Sequence, residues 1–276
     1  QQEIIDVFSR LGQSFRDESN ENRTRAIRVA NYENAWFDLK SIKYALLSWS
    51  DLLTTDLISL WLKAENVMTW TSSPKKVGIV MAGNIPLVGL HDLLCVIASG
   101  HRAIVKLSQD DKALMHFAID ELKRFHPAIT HQIEVVERLN GIDALIATGS
   151  NNTSRYFEHY FGHLPHIIRK NRNSLAILSG DESDEELFQI GSDVFTYYGL
   201  GCRNITHLLL PEGHSPTRFY DCIADHYEVL NHNKYANNYT YHRALFLLNQ
   251  QAHLDNNFLL LKEDESLYAP VGCLNY

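Results

Sequence analysis

The chain has little of what marks a secreted, membrane-embedded or nucleic-acid-binding protein. Its four cysteines, Cys95, Cys202, Cys222 and Cys273, stand far apart with no Cys-x-x-Cys pair, so a reducing cytoplasm is the expected setting. No apolar run approaches the length of a membrane span, and no signal-peptide pattern opens the chain. Basic residues are outnumbered, 25 Lys and Arg against 33 Asp and Glu, and form no tract, which leaves no footprint for nucleic acid. Neither a GxGxxG turn nor a Walker A loop is present, and no repeat or low-complexity segment appears. What remains is 276 residues of ordinary globular composition, enough for one large or two medium domains. The chain begins with Gln1 rather than Met and stops just after the apolar residues 268–276, so it is expected to be part of a longer protein.

Residues 75–108 organise the rest. Residues 77–82 are a short apolar run with β-branched side chains, which reads as a fully buried strand, and Gly83-Asn84-Ile85-Pro86 breaks it. Residues 87–99 place Leu87, Leu90, Leu94, Val96 and Ile97 mostly on one helical face, and Gly100 stops the helix. Residues 103–107 are a second apolar strand. The crossover makes the two strands parallel, and ligands of such sheets sit beyond the carboxyl ends of the strands. Asn84, after the first strand, and Lys106 and Ser108, closing the second, are therefore candidates for a ligand crevice.

Before this unit, residues 1–70 carry apolar positions at helical spacing, with Asp51 and Thr55 or Asp56 as caps, and read as a helical buttress leading into a loop at 69–74. After it, Asp110 or Asp111 caps a helix to about Phe125, which Pro127 ends. Strands follow at 133–136 and 143–148. Gly149-Ser150-Asn151-Asn152 then opens a helix over 153–161, and a strand, small polar turn and helix make a workable anion site. Further strands are expected at 166–169, 175–178, 205–210, 244–248 and 258–261, with helices from the acidic run 180–186 to near Tyr198 and over 216–230. Residues 231–243 carry no clear pattern. Alternating strands and helices indicate an α/β chain of two lobes.

Cys202 is the strongest nucleophile candidate. Gly199 and Gly201 let the backbone turn sharply before it, and Arg203 favours the reactive thiolate; the competing reading is a small buried hydrophobe. Asn84 offers a side-chain amide to a developing oxyanion, or else bonds within its own turn. Lys106 ends a strand expected to be buried, where an unpaired ammonium is costly, so it should reach a crevice or an anion. His159, His163 and His166 lack a carboxylate that would complete a zinc set, and read as scattered surface histidines.

Five motifs in order, Gly83-Asn-Ile-Pro86, Val105-Lys-Leu-Ser108, Thr148-Gly-Ser150, Gly199-Leu-Gly-Cys202 and Ala269-Pro-Val271, resemble the aldehyde dehydrogenase superfamily. Within it, GNIPLVGLHDLL and YYGLGCRNI look like the LuxC-type acyl-CoA reductases. The resemblance runs from about Val77 to the end. It implies an aldehyde dehydrogenase-like α/β fold of two Rossmann-like lobes: a helical segment over 1–75, a nicotinamide-binding lobe over 76–172, a catalytic lobe over 173–276, and an oligomerising tail beyond the present end. It makes Cys202 the nucleophile, with Asn84 and the Cys202 amide as the oxyanion hole, a thiol and a carboxamide that must meet across a shared cleft. Lys106 would hold the adenosine ribose, with Ser108 and Gln109 beside it, and Gly149 and Ser150 the pyrophosphate.

Three departures refine this. Where aldehyde oxidisers carry a Glu as the base for acyl-enzyme hydrolysis, this chain reads Arg169-Lys-Asn-Arg-Asn173, which suits a reductase fed by a thioester. The acidic ribose ligand three residues after the lysine is Gln109, which leans toward NADPH over NADH, although Asp110 and Asp111 temper that. The Glu of the Glu-x-Phe-x-Pro-Val motif falls at Ser266, beside Glu265. The expected activity is NADPH-dependent reduction of an acyl-CoA or acyl-protein thioester, with a fatty acyl chain, in a homo-oligomer of the full-length protein. The alternatives are aldehyde oxidation, acyl-phosphate reduction, a cysteine acyltransferase or thioesterase without a nicotinamide, and a silent scaffold.

Overall fold

The computed structural model describes residues 2–65, 71, 73–170 and 172–276. Much of the loop expected at 69–74 lies outside them. The N-terminal stretch folds as four helices, α1 (Gln2–Arg16), α2 (Glu21–Glu33), α3 (Leu39–Leu52) and α4 (Thr55–Ala64). Side chains of Asn20, Asp38 and Thr54 accept the first amides of α2, α3 and α4. The α4 cap is thus Thr54, one residue before the expected position, and Asp51 lies inside α3, paired with Arg16. Ile4, Phe8, Leu11 and Phe15 line one face of α1 and are buried in a cluster that continues into the first sheet.

That sheet and its helices comprise β1 (Lys76–Val80), α5 (Leu90–Ala98), β2 (Arg102–Lys106), α6 (Lys112–Phe125), β3 (Ile133–Val135), β4 (Ala144–Thr148), α7 (Asn151–Phe161) and β5 (His166–Arg169). The strand order is β3-β2-β1-β4-β5, with every pairing parallel. Val77, Ile79, Ala103, Ile104 and Val105 are buried, as expected of central parallel strands covered on both faces. One face packs on α5, α6 and the N-terminal helices; the other is covered by α7 and by the 136–143 loop. A Cβ at Gly78 of β1 would stand 2.7 Å from Ile142 Cδ1 and 3.2 Å from Leu139 Cδ1, so this strand position must stay bare for the loop to pass. Helix α5 ends in a Schellman motif: Gly100, at φ 78°, donates to the Ile97 carbonyl and His101 to that of Val96.

Contacts divide the chain into two compact units, Gln1–Asn171 and Arg172–Tyr276. The second holds β6 (Ser174–Ile177), α8 (Asp184–Phe195), β7 (Ile205–Leu209), α9 (Thr217–Cys222), α10 (Asn233–Leu248), β8 (Leu254–Asp255), β9 (Leu260–Lys262) and β10 (Cys273–Asn275). Its sheet runs β6-β7-β10-β9-β8, parallel except for the edge strand β8. The acidic run opens α8 through a capping box between Ser183 and Glu186.

Two expectations fail in this unit. Residues 244–248 are not a strand but the last turns of α10. His232 caps that helix, and the buried Tyr235 and Tyr239, one turn apart, anchor it, leaving Leu247 and Leu248 exposed. The helix expected over 216–230 is α-helical only to Cys222. Phe219 and Ile223 are its buried anchors; residues 224–231 bury nothing and tighten into 3-10 turns.

Candidate functional site

In the first unit, sheet order reverses between β1 and β4, since β2 and β3 build outward on one side and β5 on the other. Crevices at the carboxyl ends of strands open at such a switch point. The loop after β1 carries Gly83 and Asn84; Gly149 and Ser150 follow β4; Lys106 and Ser108 close the adjacent β2.

Gly83 lies against the β2 exit, where an added Cβ would be 2.4 Å from Ser108 Oγ. Ser108 in turn accepts the Asp110 amide at 3.3 Å, and Gln109 is exposed. Asn84 is exposed. Lys106 is exposed too: solvent carries its charge, and the strand is covered only as far as Val105. Ser150 is the N-cap of α7, accepting the Thr153 amide at 3.2 Å and sharing a 2.9 Å bond with the Thr153 hydroxyl. Asp111 occupies the N-cap position of α6 but makes no capping bond; its buried carboxyl accepts the Leu87 amide at 2.7 Å instead.

At the end of β5, Arg169 Nη1 donates to both carboxylate oxygens of Asp92 on α5, at 2.9 and 2.7 Å. Burial pushes the Asp92 carboxyl up, but His91 and Arg169 outweigh it and hold the group below the usual carboxylate range. Lys170 pairs with Glu158 at 2.9 Å; Asn171 lies outside the described residues.

In the second unit, Cys202 sits on the loop between α8 and β7 and is exposed, unlike the small buried hydrophobe of the competing reading. The loop enters through three successive left-handed residues, Tyr197 (φ 51°), Tyr198 (φ 60°) and Gly199 (φ 79°). Two tyrosines there are strained by about 1–3 kcal/mol each, so the surroundings must hold them. Tyr198 packs on the His232 ring, with centroids 4.0 Å apart.

The main staple is Asn204, which no sequence motif singles out. Its side chain is buried, accepts the Gly201 amide at 2.7 Å, and donates to the carbonyls of Asp193, Thr196 and Val194 at 2.7, 2.8 and 3.3 Å. Those carbonyls end α8, where helices leave acceptors unpaired. One amide therefore closes the helix and ties the Cys202 loop to it. Its signal was its place two residues after the cysteine, with partners up to 11 residues away. Of the remaining cysteines, Cys273 is buried, which pushes its thiol up to about 12, and Cys95 and Cys222 are half-buried. The 263–270 stretch is pinned through the Ser266 carbonyl, 2.9 Å from His207 Nδ1 and 2.8 Å from Asn275 Nδ2.

The sequence matches no protein-family model and no curated protein. Solved structures do match. A NAD-dependent benzaldehyde dehydrogenase from Corynebacterium glutamicum superposes with a TM-score of 0.72 at 11% identity, covering 99% of this chain and 70% of that one. This is the aldehyde dehydrogenase fold. The NADP-dependent glyceraldehyde-3-phosphate dehydrogenase from Bacillus halodurans, complexed with NADP, gives a TM-score of 0.69 at 14% identity over 99% and 68% of the two chains. An acetylating aldehyde dehydrogenase from Geobacillus thermoglucosidasius gives 0.58 at 11% identity over 82% and 53%. Identities this low carry the aldehyde dehydrogenase fold and leave the chemistry to the residues. Among the described residues, no helix is long and apolar enough to cross a membrane, and no three His, Cys, Asp or Glu side chains gather for a metal ion.

Proposed function

We propose that the chain is the nicotinamide-dependent reductase of an acyl thioester, a fatty acyl-CoA or acyl-protein, to the aldehyde, working through an acyl group on Cys202. The observation that carries the reading is an exposed cysteine on a strained loop stapled by Asn204, within an aldehyde dehydrogenase fold. The lack of a carboxylate where aldehyde oxidisers carry their water-activating base supports the thioester over aldehyde oxidation. Residues 169–173 hold no carboxylate, and the nearby Asp92 is clamped by Arg169 and held acidic, which makes it a poor base.

In this reading the Cys202 thiolate attacks the thioester carbon. The oxyanion that forms accepts hydrogen bonds from the Asn84 side-chain amide and the Cys202 backbone N–H. Collapse expels the CoA thiolate and leaves the acyl group on sulfur. After reduction, the carbon–sulfur bond breaks, releasing the aldehyde and restoring the thiolate.

The donor set of the first unit fits a dinucleotide phosphate: an exposed ammonium at Lys106, a helix N-terminus at Ser150 and the neutral Gln109. NADPH, when bound, supplies the hydride. Lys106, Ser108 and Gln109 would hold its adenosine ribose, and Gly149 and Ser150 its pyrophosphate. With Asp111 buried and turned to Leu87, Asp110 alone opposes a 2′-phosphate, which favours NADPH over NADH.

The test is to trap a labelled acyl group from acyl-CoA and chase it with each reduced nicotinamide. Label on Cys202, discharged as aldehyde by NADPH and absent in Cys202→Ala, is the expected result. Full acyl-CoA-dependent NADPH oxidation in Cys202→Ala refutes the reading. CoA release without cofactor oxidation would mark an acyltransferase or thioesterase instead. Faster turnover of acyl phosphate or free aldehyde would mark another reaction of the superfamily.

A further inference from the structure

The loop between β1 and α5 is held at three points. Gly83 rests on Ser108, and Gly89 rests on Met81, where an added Cβ would be 2.7 Å from the Met81 sulfur. Between them, Leu87 is fully buried in the left-handed region at φ 59°, an uncommon conformation for a branched residue, and its amide donates to Asp111 Oδ2. Glycine contacts limit the two ends, backbone bonds from Val88 to the Ile85 carbonyl and from Leu90 to the Leu87 carbonyl run within the turn, and the Asp111 bond ties the turn to the start of α6.

Asp111 is an unusual partner. It stands at the N-cap of α6, where an aspartate ordinarily accepts its own helix's amides, yet its side chain makes no such bond. It reaches instead to a residue 24 positions earlier, with 2% of its surface exposed and Oδ1 without a partner among the described residues. A buried carboxylate with one accepted bond is costly, and burial, with the like charge of Asp110, pushes the group well above the usual range. The bond accepted from the Leu87 amide opposes this without reversing it. Residues 83–89 carry no titratable side chain, and α2 meets the 109–111 turn through Asn34, whose amide donates to the Asp110 carbonyl at 3.1 Å.

We propose that Asp111 is a positioning residue for the thioester reduction: through its bond to the Leu87 amide it holds the 83–89 loop in the conformation that presents Asn84. The proposal rests on the assignment of Asn84 as oxyanion donor made above. Asp111 touches neither substrate nor cofactor in this scheme. It acts through three residues of backbone, and burial favours its uncharged acid in the closed loop.

The experiment compares wild type, Asp111→Asn and Asp111→Ala by hydrogen exchange over residues 83–90 and by steady-state kinetics with acyl-CoA and NADPH. Asparagine keeps an uncharged acceptor for the Leu87 amide; alanine removes it. Asp111→Ala should exchange about tenfold faster in this segment. It should lose about 10- to 100-fold in kcat, with KM for acyl-CoA within about threefold. Asp111→Asn should match wild type in both. Because the Asp111 pKa is raised in the closed loop, the wild-type loop should open as pH rises through that raised value, while that of Asp111→Asn stays closed. A protected loop in Asp111→Ala, an open loop with unchanged kcat, or Asp111→Asn as impaired as Asp111→Ala would each overturn the proposal. If the alanine variant does not fold, equal opening of wild type and Asp111→Asn with rising pH overturns it. Wild type without reductase activity removes the role of Asn84, and the exchange arm then shows separately whether Asp111 holds the loop.

Discussion

Replacing Asn204 is the most direct probe of the Cys202 loop. Its side chain makes four short bonds inside the second unit, one accepted from Gly201 and three donated to the end of α8. At about 1 kcal/mol per neutral bond, and with water able to reach some of the freed groups, Asn204→Ala should cost the unit about 2–4 kcal/mol. Asn204→Asp keeps the shape but turns the donations at 2.7 and 2.8 Å into carboxylate–carbonyl contacts. Its cost should reach about 3–5 kcal/mol at neutral pH and ease as the carboxyl is protonated, because folding then favours the acid form. Tryptophan fluorescence cannot report this, since Trp36, Trp49, Trp61 and Trp70 all precede the second unit. Hydrogen exchange over residues 196–204 can. Alkylation of Cys202, read by peptide mapping to separate it from the half-buried Cys95 and Cys222, reports the loop itself. Its rate should move by about threefold or more toward that of the denatured chain. Unchanged protection and an unchanged alkylation rate in Asn204→Ala would refute the staple.

Two further perturbations test the first unit. Gly78→Val forces a side chain into the contact with Ile142 and Leu139 and should cost about 2–3 kcal/mol by chemical denaturation; adding Ile142→Ala should recover part of it, so the double variant lies above the sum of the singles. Arg169→Met leaves the Asp92 carboxylate buried without its clamp and should cost about 2–3 kcal/mol at neutral pH, a figure discounted because Arg169 is partly exposed. Since the Asp92 pKa is depressed in the folded chain, the stability it contributes is present above the ordinary carboxylate pKa and is lost as pH falls through the folded value. The gap between wild type and Arg169→Met should therefore narrow in acid.

Much of the first unit was legible because its signals are local. The β-branched runs at β1 and β2, the break at Gly83 and the stop at Gly100 each lie within a few residues of what they determine. Sheet order was not legible, because nothing in the β4 run says which side of β1 it joins. The second unit was harder. The apolar run 244–248 suggested a strand through its composition, but its helix is fixed upstream by His232, Tyr235 and Tyr239. Strands β8 and β10, two and three residues long, are too short to carry a period. The apolar pattern of β2 is covered only as far as Val105, so the exposure of Lys106 depends on where the neighbouring loops end and not on the strand's own residues. Cys202 and Asn84 were found by motif, whereas Asn204 and Asp111 act through backbone groups that leave no mark in side-chain spacing.

The left-handed run at Tyr197, Tyr198 and Gly199 winds the chain against the hand of the helix it leaves. A short excised segment of these residues would lose its restraint, for the amide that holds it, Asn204, bonds carbonyls at the end of α8. An excised peptide bearing Gly199-Leu-Gly-Cys202 would keep the cysteine but not its restraint, so the setting of Cys202 is better regarded as a product of the folded helix end and loop than of its surrounding letters.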